Sequence, residues 1–291
     1  MPTGKAKVFM TKDISPAGLK AVYDALGRKA TGKVAVKISM GEPGGHNFLA
    51  PELIKDLVQS VNGTIVDSNT AYGGRRMDTD SHYQVSKEHG FAAIAPIDIL
   101  DGEGQISLPV TGGKHLKEDL VGSHFTNYDF HLILSHFKGH AMGGFGGALK
   151  NISIGYASTQ GKNLQHSAGA TQTEFVEEVD QDSFVESMAE AAQAVTAKVG
   201  EAIMYINVMN KMSIDCDCDA NPAPPEMADI GILGSLDPIA LDKACVDLIY
   251  AAPDNHSLVE RIEAMHGQLI LTHGQQLGIG TTEYELVSLD G

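Results

Sequence analysis

Between Ser135 and Lys150 the chain reads SHFKGHAMGGFGGALK, a segment holding two histidines, two lysines and five glycines. Imidazole titrates near neutral pH and ligates borderline metals, and ammonium groups attract anions. Glycines permit positive φ and close backbone approach, so their N–H groups can converge on a negatively charged ligand. His136 and His140 are therefore candidate acid–base groups, Lys138 a candidate substrate clamp, and Lys150 with Asn151 a candidate binding pair. His166 adds a third imidazole, as acid–base group or metal ligand. The plain alternative is a tight turn carrying surface histidines.

Three further segments could join this chemistry. GEPGGHNF, Gly41 to Phe48, follows the apolar run VAVKIS and precedes a helix beginning near Pro51, a glycine approach to a helix N-terminus that can seat an anion. Its His46 is a candidate substrate contact. DSNTAYGGRRMDTDSH, Asp67 to His82, also follows a strand; Arg75 and Arg76 could grip a carboxylate or phosphate through two N–H groups each, and His82 could reach the same cleft as a catalytic partner. The CDCD run, Cys216 to Asp219, could hold a soft metal or an iron–sulfur cluster, although structural zinc and ferredoxin-type sites take four ligands at other spacings. Buried, redox-quiet cysteines are the alternative there, and solvated arginines at Arg75 and Arg76.

The elements that must position these groups alternate. KVFM, KVAVKIS, GTIVDS and HLILSHF read as strands, separated by the helical segments SPAGLKAVYDALGR, APELIKDLVQSV and DSHYQVSKEHG. A short helix follows near Ala148 to Ile154, then a long one over Asp182 to Val199. A strand in EAIMYINVMNKM, a unit pairing ADIGILGS with DPIALDKACVDLIYAA, and a last strand EYELVSL complete the series. This is a βαβ pattern: an α/β fold with a mixed or mostly parallel sheet and helices on both faces. Three βα loops ending at one sheet edge face a common crevice. Polar loops at residues 155–180 and 215–227 are the candidate boundaries; the chain is read as a single domain over 1–291, with lobes at 1–155 and 180–291 as the alternative division.

Across 291 residues, 21 Lys and Arg stand against 37 Asp and Glu, a formal charge of −16. That balance argues against nucleic acid or an anionic membrane surface as partner and makes the bases of the glycine segments, including Lys162, a local positive feature suited to a small anion. No apolar run reaches the roughly 18 residues of a membrane span, and MPTGKAKVFM is no signal peptide, so a cytoplasmic protein is expected, with homo-oligomerisation open. Cys216, Cys218 and Cys245 cannot make a disulfide framework, which fits a reducing compartment.

GEPGGHNFLAPELIKDLV, SHFKGHAMGGFGGALKNISIG, INVMNKMSIDCDC and DIGILGSLDPIALDKACVDLI resemble the domain-of-unknown-function family DUF362 along nearly all of the chain. Many members carry a ferredoxin-like insertion with two four-cysteine motifs. In the corresponding region this chain has GATQTEFVEEVDQD, without a cysteine, so clusters of that kind are not expected. A shorter stretch is similar to the nickel-pincer lactate racemases: His140, then Gly144-Phe145-Gly146-Gly147, then Lys150, then His166-Ser167 at the same intervals. That resemblance implies a cofactor anchored on Lys150 in a cradle with Gly144, Phe145, Gly147 and Asn151, nickel on His166, and substrate proton transfer by His140. GEPGGH stands where the racemases have their substrate loop, and Leu149 where they have an arginine beside the lysine.

The resulting expectation is an enzyme using nickel or another transition metal, with or without an organic cofactor, to move a proton or hydride on a small anionic, hydroxy-acid-like molecule. Racemase or isomerase and oxidoreductase chemistry both fit. Two rivals remain: a redox or metal-handling protein built on Cys216 and Cys218, and a metabolite-binding module without turnover.

Overall fold

The computed structural model describes residues 5–176 and 178–291. Residues 1–4, the start of the segment MPTGKAKVFM considered above, and Glu177, within the acidic stretch 174–190, lie outside them. The chain opens with β1 (Ala6–Thr11), α1 (Pro16–Ala25), β2 (Val34–Lys37), α2 (Pro51–Ser60), β3 (Thr64–Asp67), α3 (Thr79–Glu88) and β4 (Ile97–Ile99). A hairpin of β5 (Gln105–Pro109) and β6 (Glu118–Gly122) precedes the central strand β7 (Phe130–His136), a second hairpin of β8 (Lys138–His140) and β9 (Gly144–Gly146), and the helices α4 (Ala148–Ile152), α5 (Thr159–His166) and α6 (Gln181–Val199). The remainder is β10 (Ile203–Met209), β11 (Gly231–Ser235), α7 (Pro238–Ala251), α8 (His256–Ala264), α9 (Leu269–Gln276) and β12 (Tyr284–Ser288).

Local chemistry sets these boundaries. Ser15 accepts the Gly18 N–H and Pro16 takes the first helical position of α1; Asp237 and Pro238 do the same for α7. The main sheet runs β12-β1-β11-β10-β7-β2-β3-β4, and among the described residues β11 alone runs against the others. Alternation along the strands divides the core. Leu132, Leu134, Met204 and Ile206 face Leu19, Val22, Ile54 and Leu57 of α1 and α2. Ile133, Tyr205 and Met209 face Phe184 and Ala189 of α6 and Leu241 of α7. Helices thus cover both faces, and the α/β expectation holds.

From β2 the chain builds outward through β3 and β4, then β7 returns to the other side of β2. The carboxyl ends of β2 and β7 form the topological switch point, where open α/β sheets leave a crevice. Two departures from the sequence reading lie there. The glycine turn after β7 is the β8–β9 hairpin, and the polar stretch 155–180 contains α5, which Ser158 opens by accepting the Gly161 N–H.

Candidate functional site

At the switch point lies one cavity of about 180 Å³, lined from β2, β3, β7, the β8–β9 hairpin, α4, α5 and the loop after β10. A volume of that size accommodates about a dozen waters, hence a small metabolite rather than a macromolecule. Its walls carry five basic side chains, Lys37, Arg76, Lys138, Lys150 and Lys162, with His136, His140, His166, Cys216 and Cys218.

Lys37 and Asp67 end adjacent strands, and Lys37 Nζ lies 3.0 Å from Asp67 Oδ1 and donates to Asn151 Oδ1 at 3.0 Å. Arg76 closes the same network, 2.8 Å from Glu42, 3.3 Å from Asp67 and 3.0 Å from the Tyr72 hydroxyl. Asn151 donates back to the Ser135 hydroxyl at 2.9 Å and so ties α4 across the gap between β2 and β7. On the opposite wall Asp217 takes His136 Nδ1 at 2.9 Å and stands 2.8 Å from Lys138 Nζ. His136 Nε2 lies 2.6 Å from the Asn210 carbonyl. Both of its ring nitrogens face acceptors, so it braces the wall.

His140 lies deeper. Its Nδ1 accepts the Gly143 N–H at 2.9 Å and the Met142 N–H at 3.3 Å, which puts the neutral ring's proton on Nε2. Burial first, then the charges of Lys150, His166 and Lys138, hold its pKa well below the usual imidazole value. Beside it Cys216 and Cys218 are joined as a disulfide. Among the described residues these three form the one group of His, Cys, Asp or Glu donors that converges, each offering an atom within 4.8 Å of the other two. One imidazole and two thiolates fit a transition metal of the nickel, copper or zinc type once the sulfurs are reduced.

His166 stands outside that group. Its ring is held between Phe175 and Phe184, with centroids 4.5 and 4.8 Å away, and its buried Nδ1 has no partner among the described residues. Burial, then Lys150 and Lys162, lowers its pKa to about 3, so the imidazole is neutral. Burial also lowers Lys150 to about 7 and Lys162 to about 8.

Lys150 owes its position to Asp242 of α7, whose carboxylate accepts the Ala148 and Leu149 N–H groups at 2.8 and 2.9 Å and thereby caps α4 from another helix. Gly147 permits this, because a Cβ there would lie 2.4 Å from Asp242 Oδ1. Asp242→Ala removes these bonds and the one from Asn207 at 2.7 Å. Orphaning three buried donors is expected to cost about 3 kcal/mol or more in urea unfolding; an unchanged midpoint would show that α4 is held by other means.

The sequence candidates divide accordingly. His136, Lys138, His140, Arg76, Gly147, Lys150, Asn151, His166, Cys216 and Cys218 line the cavity. Arg75 does not: it is exposed and paired with Glu88 at 2.6 Å. Exposed His46 lies outside the lining, and fully buried His82 stands behind Asp67 at 3.6 Å with Nδ1 on Asn69. Gly144 and Phe145 serve packing; Phe145 stacks on Phe137 at 5.4 Å, and Gly144 abuts Gly267 with φ of 78°. Missing from the sequence reading are Lys37, Asp67, Tyr72 and Asp217, although a charged residue ending an apolar strand (VAVK, TIVD) is a usable signal.

No curated protein matches the chain. Solved structures that resemble it include the lactate racemase apoprotein from Thermoanaerobacterium thermosaccharolyticum, at 15% identity and TM-score 0.42 over 72% of this chain and 52% of that one, and a protein from Thermotoga maritima, at 14% identity and TM-score 0.48 over 79% and 57%. The chain thus spans little more than half the length of either. Among described residues no helix is long and apolar enough to cross a membrane. A family model described as "Domain of unknown function (DUF362)" matches residues 34–247, more than half of the chain.

Proposed function

The chain belongs to this domain-of-unknown-function family, DUF362, and from the contents of its cavity we propose that it is a metal-dependent enzyme moving a proton on a small anionic, hydroxy-acid-like molecule. The observation that carries the reading is the meeting of unpaired ammonium groups, neutral imidazoles and two cysteines in one small cavity.

Cys216, Cys218 and His140 would hold the ion, which when bound supplies a Lewis acid beside the substrate's oxygen. Lys150 and Lys162, with Arg76, attract and orient the acid group. His166, stacked and neutral, is the proton carrier; a bound anion offsets the lysine charges that depress its pKa, moving it toward the range useful for acid–base transfer. Phe175 and Phe184 fix the ring and exclude water from one side.

The test is deuterium exchange. Reduced, nickel-loaded protein in D2O is expected to place deuterium at C2 of lactate or malate, and His166→Ala to lower the rate about 100-fold or more. Metal-saturated protein that leaves both acids unlabelled would sink the proposal. A second reading rests on the disulfide at the cavity wall: Cys216 and Cys218 would cycle as a redox pair. It predicts that a dithiol donor reduces the pair to two thiols and that their return to the disulfide passes two electrons to an acceptor, with no label in either acid. The cavity holds two of the four thiolates that an iron–sulfur cluster takes, and Cys245 is buried in the core near Asn207.

A further inference from the structure

The cavity's charges can be counted pair by pair. Lys37, Arg76 and Lys138 are matched by the carboxylates Asp67, Glu42 and Asp217 at 2.8–3.3 Å. Among the described residues Lys150 and Lys162 have no carboxylate within salt-bridge distance; Lys162 Nζ donates to the Ala157 carbonyl, and Lys150 Nζ has no hydrogen-bond acceptor among those residues. The sulfurs do not redress the balance. As a disulfide they are neutral, and as two thiolates they offset a divalent ion. Neutral His140 and His166 add nothing, and His136 shares the Asp217 carboxylate with Lys138. When protonated, Lys150 on α4 and Lys162 on α5 thus face the cavity with no carboxylate in salt-bridge contact, Asp217 and Asp101 acting on them only from farther away.

A buried ammonium group with no paired carboxylate is costly unless a partner arrives. We infer that the cavity takes a small dianion, a molecule with two negative charges, seated between Lys150 and Lys162. This rests on the anion-binding part of the function proposed above and narrows its substrate class from acids in general to doubly charged ones. A monoanion leaves one ammonium uncompensated; a dianion leaves none. The flanking Phe175, Ile154 and Met142 provide an apolar wall against which the ligand's carbon skeleton can rest.

Calorimetric titration of the full chain with malonate, sulfate and propanoate tests the inference without requiring turnover. Malonate or sulfate is expected to bind at least about tenfold more tightly than propanoate, the gain of one further charge-assisted contact. A tighter malonate places the charge on two carboxylates and a tighter sulfate on one tetrahedral group; either order supports the inference. Lys162→Gln, which keeps a donor for the Ala157 carbonyl, should erase the dianion's advantage, and Lys150→Gln does so from the other side, with circular dichroism confirming that each variant folds. Propanoate binding as well as the dianions, an advantage surviving in both variants, or no binding by any of the three overturns it. The two readings fail separately. Protein that prefers dianions but never labels an acid refutes the catalytic proposal alone, and protein that labels lactate while binding malonate no better than propanoate refutes this one alone.

Discussion

Alanine at His140, or serine at Cys216 or Cys218, is expected to abolish stoichiometric metal binding, while alanine at His166 leaves the metal in place. The short resemblance to the racemases implies the reverse for the two histidines. Geometry decides it, because His140 offers a donor atom within 4.8 Å of both sulfurs and His166 does not belong to the group. Outer-shell changes alone cost about 10–100-fold in metal affinity, so loss of a direct ligand costs at least that much. Oxidation state enters with equal weight. With Cys216 and Cys218 bonded to each other, neither sulfur is a thiolate, and the thiolate is the ligand. Protein treated with a phosphine reductant should therefore retain about one equivalent of nickel or zinc through gel filtration, and protein treated with diamide none. His140 must also release its Nδ1 from the Gly143 N–H, or move its proton, before the ring can ligate. Elemental analysis of the filtered protein reads all of these outcomes, and full nickel content in a Cys216→Ser, Cys218→Ser double variant would refute the site.

How far this site was legible in the sequence depends on what fixes each residue's direction. The strand HLILSHF and the glycines after it are visible because apolar runs and glycines act locally, and that run does end at the switch point. Arg75 and Arg76 show the limit. They are adjacent and chemically identical, yet one pairs with Glu88 in solvent and the other is buried against Glu42 and Asp67. Nothing within two residues distinguishes them; the fold of the loop does, the Arg76 carbonyl accepting the Thr70 N–H at 2.9 Å. Lys37 and Asp67 lie 30 residues apart and are joined by the pairing of β2 with β3, so they read as strand ends until the sheet exists. Helix α5 was hidden for a different reason: TQGKNLQH has almost no apolar periodicity, because it buries polar residues against the cavity and the β5–β6 hairpin rather than a hydrocarbon stripe. Binary patterning reports contact with a core and is silent on helices that line a polar cavity.

Lys150→Met is expected to make the ligand-free protein more stable at pH 7 and to abolish dianion binding. Removing an ammonium seldom stabilises a protein, so the sign carries the argument. The Lys150 pKa is lowered to about 7, by burial first and then by Lys138, with Lys37 and Arg76 adding to the effect and Asp217 opposing it. In the unfolded chain the same lysine holds its proton up to about pH 10.4. Between those values the unfolded state binds more protons, so the stability of the wild type rises with pH across roughly 7 to 10, the reverse of a salt-bridged carboxylate. Below pH 7 both states are protonated and the full penalty of the buried charge is paid. A shift of this size corresponds to a few kcal/mol, on the order of 2–5. Methionine fills the same space without the charge. Urea unfolding at pH 7 should then favour the variant by that margin, and the gap should close by about pH 10 as the wild-type ammonium loses its proton. Taking the difference between the two proteins cancels the tyrosines and other groups that titrate in the same window. Saturating malonate at pH 7 should reverse the order, since only the wild type gains a counter-charge for its ammonium. A variant no more stable than wild type at pH 7 would mean that Lys150 is solvated in the empty cavity, and the case for an uncompensated charge awaiting a ligand would fall with it.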